Sequence, residues 1–310
     1  MNTGVLVMLS SDRETIWPAV ARLTATAVRT GARRAARDIV IPTVRAAVVE
    51  LPGFAQRAPI RFLSYLLVGL SFLFMAFPGI DIAVSGLFAA PGGGFPLSDD
   101  PLLVAIRDFN RLVPKLLLPG LAAVLLLHAF RPAASWLLRP HQALYAVAVY
   151  AVGGGIVVHF LKNFVGRARP EDIVVFGGTE LYTVAWQLSE ACMRNCSFSS
   201  GEAASAIAML TLAVIAPGPW RGGFLAVLVP VGLVFSLNRI AFGSHFLSDV
   251  VVSWLLVAIV AVALHRAIFA RAEAIDRAVI GAGQPLANRV LYRLRGLAGT
   301  DRPGSTLPPQ

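Results

Sequence analysis

Three short polar stretches interrupt an otherwise apolar chain, and each carries residue types that handle anions. The first runs from Lys162 to Pro170 and holds Lys162, Arg167 and Arg169; Lys162 is one of only two lysines beside 25 arginines. Taken alone, such a cluster also suits cations snorkelling from a membrane-helix end. The second is Ser199-Ser200-Gly201-Glu202, just ahead of an apolar run. A helix starting there offers free backbone N–H groups and the positive end of its dipole to an anion, and Gly201 lets that anion approach the backbone closely. Ser199 and Glu202 have the spacing of a capping box as well, so a purely structural role fits them too. The third stretch contains Asn238, Arg239, His245 and Asp249. His245 and Asp249 are four residues apart and share a face if a helix begins there. A carboxylate beside an imidazole fixes its tautomer and supports its positive charge. Together the stretches supply several cations, a helix N-terminus and a histidine nucleophile. That combination describes a site for a tetrahedral oxyanion that needs neither metal nor cofactor. It suits phosphoryl transfer, in which the protein mainly positions the group and neutralises its oxygens.

The elements that must hold these stretches are membrane helices. Hydrophobic residues make up 56% of the 310-residue chain and charged ones 14%, with a mean hydropathy of +0.71. A soluble domain is nearer half apolar and a quarter charged, so soluble, disordered and disulfide-scaffold classes are excluded. Six apolar runs approach the roughly 20 residues that cross a bilayer: 62–80, 115–131, 143–161, 203–219, 223–238 and 247–265. The fold expected is all-α, a polytopic membrane protein of about six transmembrane helices. Pro119 lies inside the second run, which membrane helices tolerate when neighbours satisfy the freed carbonyl. The Gly153-Gly154-Gly155 triplet in the third run favours close helix packing. The apolar patch Gly4–Leu9 is too short for a signal-peptide core. All three polar stretches fall at the ends of the last four runs, on one side of the bilayer.

Charge supplies the orientation. With both termini inside, 19 basic residues lie on the inner side and 8 on the outer, while 7 acids are inside and 10 outside. This is the positive-inside bias, and it predicts an N-in, C-in topology with the polar stretches outside. The net charge of +10 follows the same rule, so no nucleic-acid partner is implied. Three segments result: a basic cytoplasmic N-terminal segment 1–61 whose Arg-rich part, 21–49, suits helices on an anionic leaflet; a six-helix membrane domain 62–265; and a basic tail 266–310 whose Pro- and Gly-rich end, 301–310, suits disorder.

The three stretches resemble the type-2 phosphatidic acid phosphatase superfamily, whose pattern is K-x6-RP, then PSGH, then SR-x5-H-x3-D. Lys162 to Pro170 matches the first motif in full. Arg239, His245 and Asp249 match the third, with Asn238 in place of its Ser. In the second motif Ser200 and Gly201 remain, Ser199 replaces Pro and Glu202 stands where His is usual. The likeness covers about residues 62–265. It implies that Lys162, Arg169 and Arg239 bind phosphate oxygens with Ser200 and the Gly201 N–H. It also implies that His245 attacks phosphorus to form a phosphohistidine, oriented by Asp249. The family's acid is the histidine that this chain lacks. Glu202 is left either as its replacement or as a helix cap, and three nearby cations would hold it ionised.

Some bacterial members of that superfamily dephosphorylate envelope lipids. Lipid A, undecaprenyl pyrophosphate and phosphatidylglycerol phosphate all present an anionic head with tails in the bilayer. The Arg- and Ala-rich composition points to a bacterial cytoplasmic (inner) membrane with the site toward the periplasm. The reading is a hydrolase of lipid phosphates whose partners are its lipid substrate and the bilayer. Its rivals are a lipid phosphotransferase using the same intermediate and a catalytically weak protein that binds anionic lipid. Cys192 and Cys196 lie in the outer loop before the second motif. The periplasm is oxidising, so a disulfide between them is expected, tying down the loop that presents Ser200 and Gly201.

Overall fold

The computed structural model describes residues 51–130 and 138–298. The Arg-rich segment 21–49 and the tail 301–310 lie outside the described residues. The chain divides at Pro59 into a unit ending there and a unit from Ile60 onward. The second unit, which carries every candidate site residue, is built from helices joined by turns and by one long loop, 165–200.

Its first helix, α1, is Pro59–Ala76, followed by the short α2 at Gly79–Gly86. The next, α3, spans Pro101–Phe130. It starts where Pro101 supplies a fixed φ and Asp100 Oδ1 accepts the Leu103 N–H at 3.0 Å. The third long helix is composite: α4 at Pro140–Val149, a π-helical segment at Tyr150–Val158, and α5 at His159–Phe164. After a long loop come α6 at Gly201–Met209, α7 at Thr211–Ile215, α8 at Arg221–Ala241, α9 at Leu247–Phe269 and α10 at Ala272–Ala298. Among the described residues, five helices are long and apolar enough to cross a membrane: Pro59–Ala76, Pro101–His128, Pro140–Phe164, Gly218–Ala241 and Leu247–Phe269. The protein is an all-α polytopic membrane protein.

Two expected spans are corrected. The run at 115–131 is only the apolar half of α3, whose polar half begins at Pro101 and which continues through Pro114 and Pro119. The run at 203–219 becomes the pair α6–α7, Gly201–Ile215, shorter than the other spans. It stops because Pro217 forces Ala216 into extended backbone, with ψ 148°. The chain still leaves the site through α6–α7 and returns to it through α8.

Packing explains why a helix as short as α6 is central. On α6, Ala203, Ala204, Ala206 and Ala208 are all buried against α4, α8 and α9. Small side chains let helix backbones approach where lipid offers no hydrophobic drive between helices. Gly153 of the triplet extends this, since a Cβ there would lie 3.2 Å from Val257 Cγ1. Large apolar side chains such as Tyr65, Phe72, Leu116 and Val227 point outward, where a bilayer would cover them. At the end of the bundle away from the polar stretches, α10 is tied to α4 through Asp276, which accepts from the His141 backbone N–H at 2.9 Å and ring Nδ1 at 3.0 Å.

Candidate active site

The three polar stretches converge at the ends of α5, α6, α8 and α9. His245 stands at the centre, in the tight turn between α8 and α9. Gly243, at φ +66°, makes that turn; a side chain there would overlap the Phe95 ring. The imidazole is 1% exposed. Its Nδ1 lies 2.7 Å from the Ser197 carbonyl oxygen, so Nδ1–H donates and Nε2 carries the free lone pair. Complete burial pushes the ring down to about 4, aided by the Lys162 and Arg239 charges and opposed by Glu202. At neutral pH the imidazole is uncharged, the form a nucleophile requires.

Asp249, in the first turn of α9, was expected to orient His245 directly. Its Oδ2 lies 4.0 Å from Nδ1, too far for a hydrogen bond. Instead Oδ2 accepts the Phe246 N–H at 2.8 Å and the Ser197 hydroxyl, while Oδ1 accepts Arg167 Nη1 at 2.6 Å. The carboxylate therefore positions the imidazole through Ser197 and the turn.

Lys162 is in the last turn of α5 and donates from Nζ to Asn195 Oδ1 at 2.8 Å. Arg169 donates to the Asn195 carbonyl at 3.0 Å and to Glu171 at 3.2 Å. Asn195 lies inside the loop closed by a disulfide between Cys192 and Cys196, whose Cα atoms are 5.5 Å apart. That loop thus holds both cations of the first motif. Gly166, at φ +68°, brings the motif against this loop, its missing side chain leaving room for the Ser189 carbonyl. Arg239, in the last turn of α8, is buried; its Nε and Nη1 make no hydrogen bond among the described residues. Gly201 opens α6 beside the Lys162 stem, where a Cβ would lie 3.8 Å from Cε.

The capping box expected of Ser199 and Glu202 is not formed. Ser200 is the N-cap, its hydroxyl accepting the Ala203 N–H at 3.3 Å. The helix starts one residue late for the box, and the Glu202 side chain is turned into the site. Its Oε1 accepts Arg111 Nη2 at 2.9 Å and lies 3.6 Å from Arg239 Nε, while Oε2 is 3.7 Å from His245 Nε2.

Sequence reasoning missed two participants and left a third without a role. Arg111, on α3, anchors Glu202. Asp81, on α2, is 1% exposed and accepts Arg167 Nη2 at 2.9 Å, the Ser248 N–H at 2.9 Å and the Ser248 hydroxyl. Arg167 was counted as a cation of the first stretch only. It is fully buried, bridges Asp81 and Asp249, and lies 4.2 Å from the Phe246 ring centre. Burial opposes its charge, but Asp249 and Asp81 outweigh that and its pKa rises. One signal was available for Asp81: a lone carboxylate among the apolar residues of Gly79–Gly86, where an isolated acid requires a partner.

Known proteins resemble this chain in sequence. Residues 142–273 match the PAP2 superfamily, a range covering α4 through the start of α10. The chain is 35% identical over 202 residues to a lipid A 4'-phosphatase of Rhizobium leguminosarum, spanning 59% of this chain and 84% of that protein. It is 32% identical over 197 residues to a lipid A 4'-phosphatase of Rhizobium etli, spanning 59% and 77%. A lipid A 4'-phosphatase of Francisella tularensis subsp. novicida is 27% identical over 187 residues, spanning 57% and 81%. No solved structure matches. The helical membrane architecture, the convergence of the three motifs and these relatives lead to one assignment: the chain belongs to the PAP2 superfamily, that of the type-2 phosphatidic acid phosphatases, and is a bacterial multi-pass membrane phosphatase acting on lipid phosphate.

Proposed function

We propose that this protein removes a phosphate from lipid A at the periplasmic face of the inner membrane, through a phosphohistidine on His245. The observation that carries the reading is the placement of His245 Nε2. It is a free lone pair on an uncharged imidazole, with Nδ1–H fixed by the Ser197 carbonyl and Arg239 and Lys162 nearby. The substrate class rests on the relatives named lipid A 4'-phosphatase. The periplasmic face rests on the 19-to-8 division of basic residues.

In this mechanism Lys162, Arg169, Arg239 and the Gly201 N–H bind the phosphoryl oxygens. Nε2 attacks phosphorus as the phosphorus–oxygen ester bond breaks, and the sugar oxygen leaves with a proton. Glu202 supplies that proton. At rest its carboxylate is ion-paired to Arg111 and Arg239; an arriving phosphate takes Arg239 for itself, and the carboxylate then takes up a proton from water, which it passes to the leaving oxygen. Water then attacks phosphorus, Glu202 accepts its proton, the nitrogen–phosphorus bond breaks and inorganic phosphate departs. Asp249 and Arg167 touch no reacting atom and act as positioning residues.

The test is phosphate release in detergent from lipid A, undecaprenyl pyrophosphate and phosphatidylglycerol phosphate, with rapid quenching. The expected result is release from lipid A and a phosphoryl adduct on the His245 peptide, both absent in His245→Ala. Turnover by that variant at the wild-type rate refutes the intermediate. Release from the other lipids alone refutes the substrate.

A further inference from the structure

Beside the catalytic cluster lies an open groove of about 430 Å³ between α3 and α6, lined by Asn110, Arg111, Pro114, Lys115, Gly201, Glu202 and Ser205. Glu202 and Gly201 make its wall toward His245, so groove and catalytic site are continuous. Its cations come from α3, where Arg107, Arg111 and Lys115 are four residues apart and share one face. They do not have equivalent surroundings. Arg107 is paired with Asp108 at 2.9 Å and Arg111 with Glu202 at 2.9 Å. Lys115 makes no ion pair among the described residues, yet it is exposed on the groove side of a membrane helix whose next 15 residues are almost wholly apolar. A charge at that depth is costly unless it serves a ligand or reaches water. Side chains on a helix lean toward its N-terminus, so the Lys115 ammonium reaches up toward Arg111 rather than down into hydrocarbon. Ser205 Oγ, on the opposite wall, is buried with no hydrogen-bond partner.

We propose that Lys115, with the Arg111 edge and Ser205, forms a second anion subsite for a phosphoryl group at a separate position of the same lipid headgroup. This rests on the lipid phosphatase reading above and narrows its substrate class to lipids bearing two phosphoryl groups. Arg111 holds Glu202, which lies 3.7 Å from His245 Nε2, and Lys115 stands one helical turn further along α3, ~6 Å at 1.5 Å per residue. The second anion position is thus offset from the first along the groove, as a phosphoryl group on a separate part of the headgroup would be. With a second pKa near 6, such a group is largely dianionic at neutral pH. It is matched by Lys115, which makes no close ion pair among the described residues.

The experiment uses the full-length protein in neutral-detergent micelles with two glycolipids that differ only in the second phosphoryl group. Steady-state KM and kcat are measured for wild type, Lys115→Gln and Lys115→Arg. Loss of one charge-assisted contact should raise KM for the bisphosphorylated lipid about tenfold in Lys115→Gln. The value of kcat and both constants for the monophosphorylated lipid should be unchanged, and Lys115→Arg should keep the wild-type KM. Equal KM changes for both lipids, or none for either, overturn the subsite. A KM effect on the monophosphorylated lipid that appears only when an anionic phospholipid is added assigns Lys115 to bilayer lipid and also overturns it. Titrated binding of the two lipids is measured alongside. If wild type hydrolyses neither, the phosphatase reading fails by itself, and preferential binding of the bisphosphorylated lipid that Lys115→Gln abolishes still decides the subsite.

Discussion

Replacing Glu202 by Gln removes one charge and one proton from the centre of the site while keeping the side-chain shape. The carboxylate lies 3.6 Å from Arg239 Nε and 3.7 Å from His245 Nε2, so a phosphoryl group approaching Nε2 must share its cations. Two like unit charges about 4 Å apart, at an effective dielectric of about 20, repel by about 4 kcal/mol. Arg111, half exposed and hydrogen-bonded to the same carboxylate, offsets part of this. If only about 1.4 kcal/mol survives, phosphate affinity in Glu202→Gln rises about tenfold. The lost proton acts in the other direction. With a lipid phosphate, whose sugar oxygen needs protonation, kcat should fall on the order of 10²–10⁴-fold. With an aryl phosphate, whose leaving group departs as an anion, the burst of aryl alcohol that accompanies phosphohistidine formation should keep its rate, while hydrolysis of the intermediate slows with the lost base. The assay is burst and steady-state kinetics on both substrates with inorganic phosphate as competitive inhibitor. The expected pattern is a lower inhibition constant on both, with a slower first step on the lipid alone. Unchanged kcat on the lipid refutes the acid role, and unchanged phosphate affinity refutes the shared anion position.

Arg167→Met should strand the Asp81 and Asp249 carboxylates. Breaking a buried pair costs about 3–5 kcal/mol, so melting in detergent should fall on the order of 10 °C; wild-type melting would show that the bridge is dispensable. Because His245 titrates near 4 in the fold against 6.5 ordinarily, the unfolded chain binds the extra proton between those values. Its contribution therefore costs stability as pH falls from 6.5 toward 4, with no further loss below, and His245→Gln should lack that component in melting curves taken across the window. The same titration requires kcat/KM to rise with pH through about 4 on account of His245. Reducing the Cys192–Cys196 bridge should loosen Asn195 and hence Lys162 and Arg169, raising KM more than it lowers kcat; unchanged kinetics after complete reduction would remove that role. For the topology, cysteines introduced at exposed Gly92 and at Pro303 should be labelled from outside cells only at Gly92. Labelling at Pro303 alone reverses the orientation.

The sequence by itself determined the class of solvent, the approximate spans and the chemistry at the ends of the helices. Apolar runs near bilayer length need no partner to be recognised, and Lys162, Arg169, Arg239, His245 and Asp249 sit at spacings fixed along the local chain. Three things required the tertiary structure. Arg111 and Asp81 come from helices 91 and 86 residues away in sequence from Glu202 and Arg167, the groups they bind, so no local spacing could point to them. The acceptor that fixes the His245 tautomer is a backbone carbonyl, which every residue carries and no sequence distinguishes. The role of Glu202 turned on where α6 begins: a start one residue later than the capping box requires gave the cap to Ser200 and turned the carboxylate toward Arg111 and His245. Helix length was misjudged for a related reason. Hydropathy sees only the stretch that lipid would touch, whereas α3 continues to Pro101 because its polar half packs along the site, and α6–α7 ends early where Pro217 breaks the backbone.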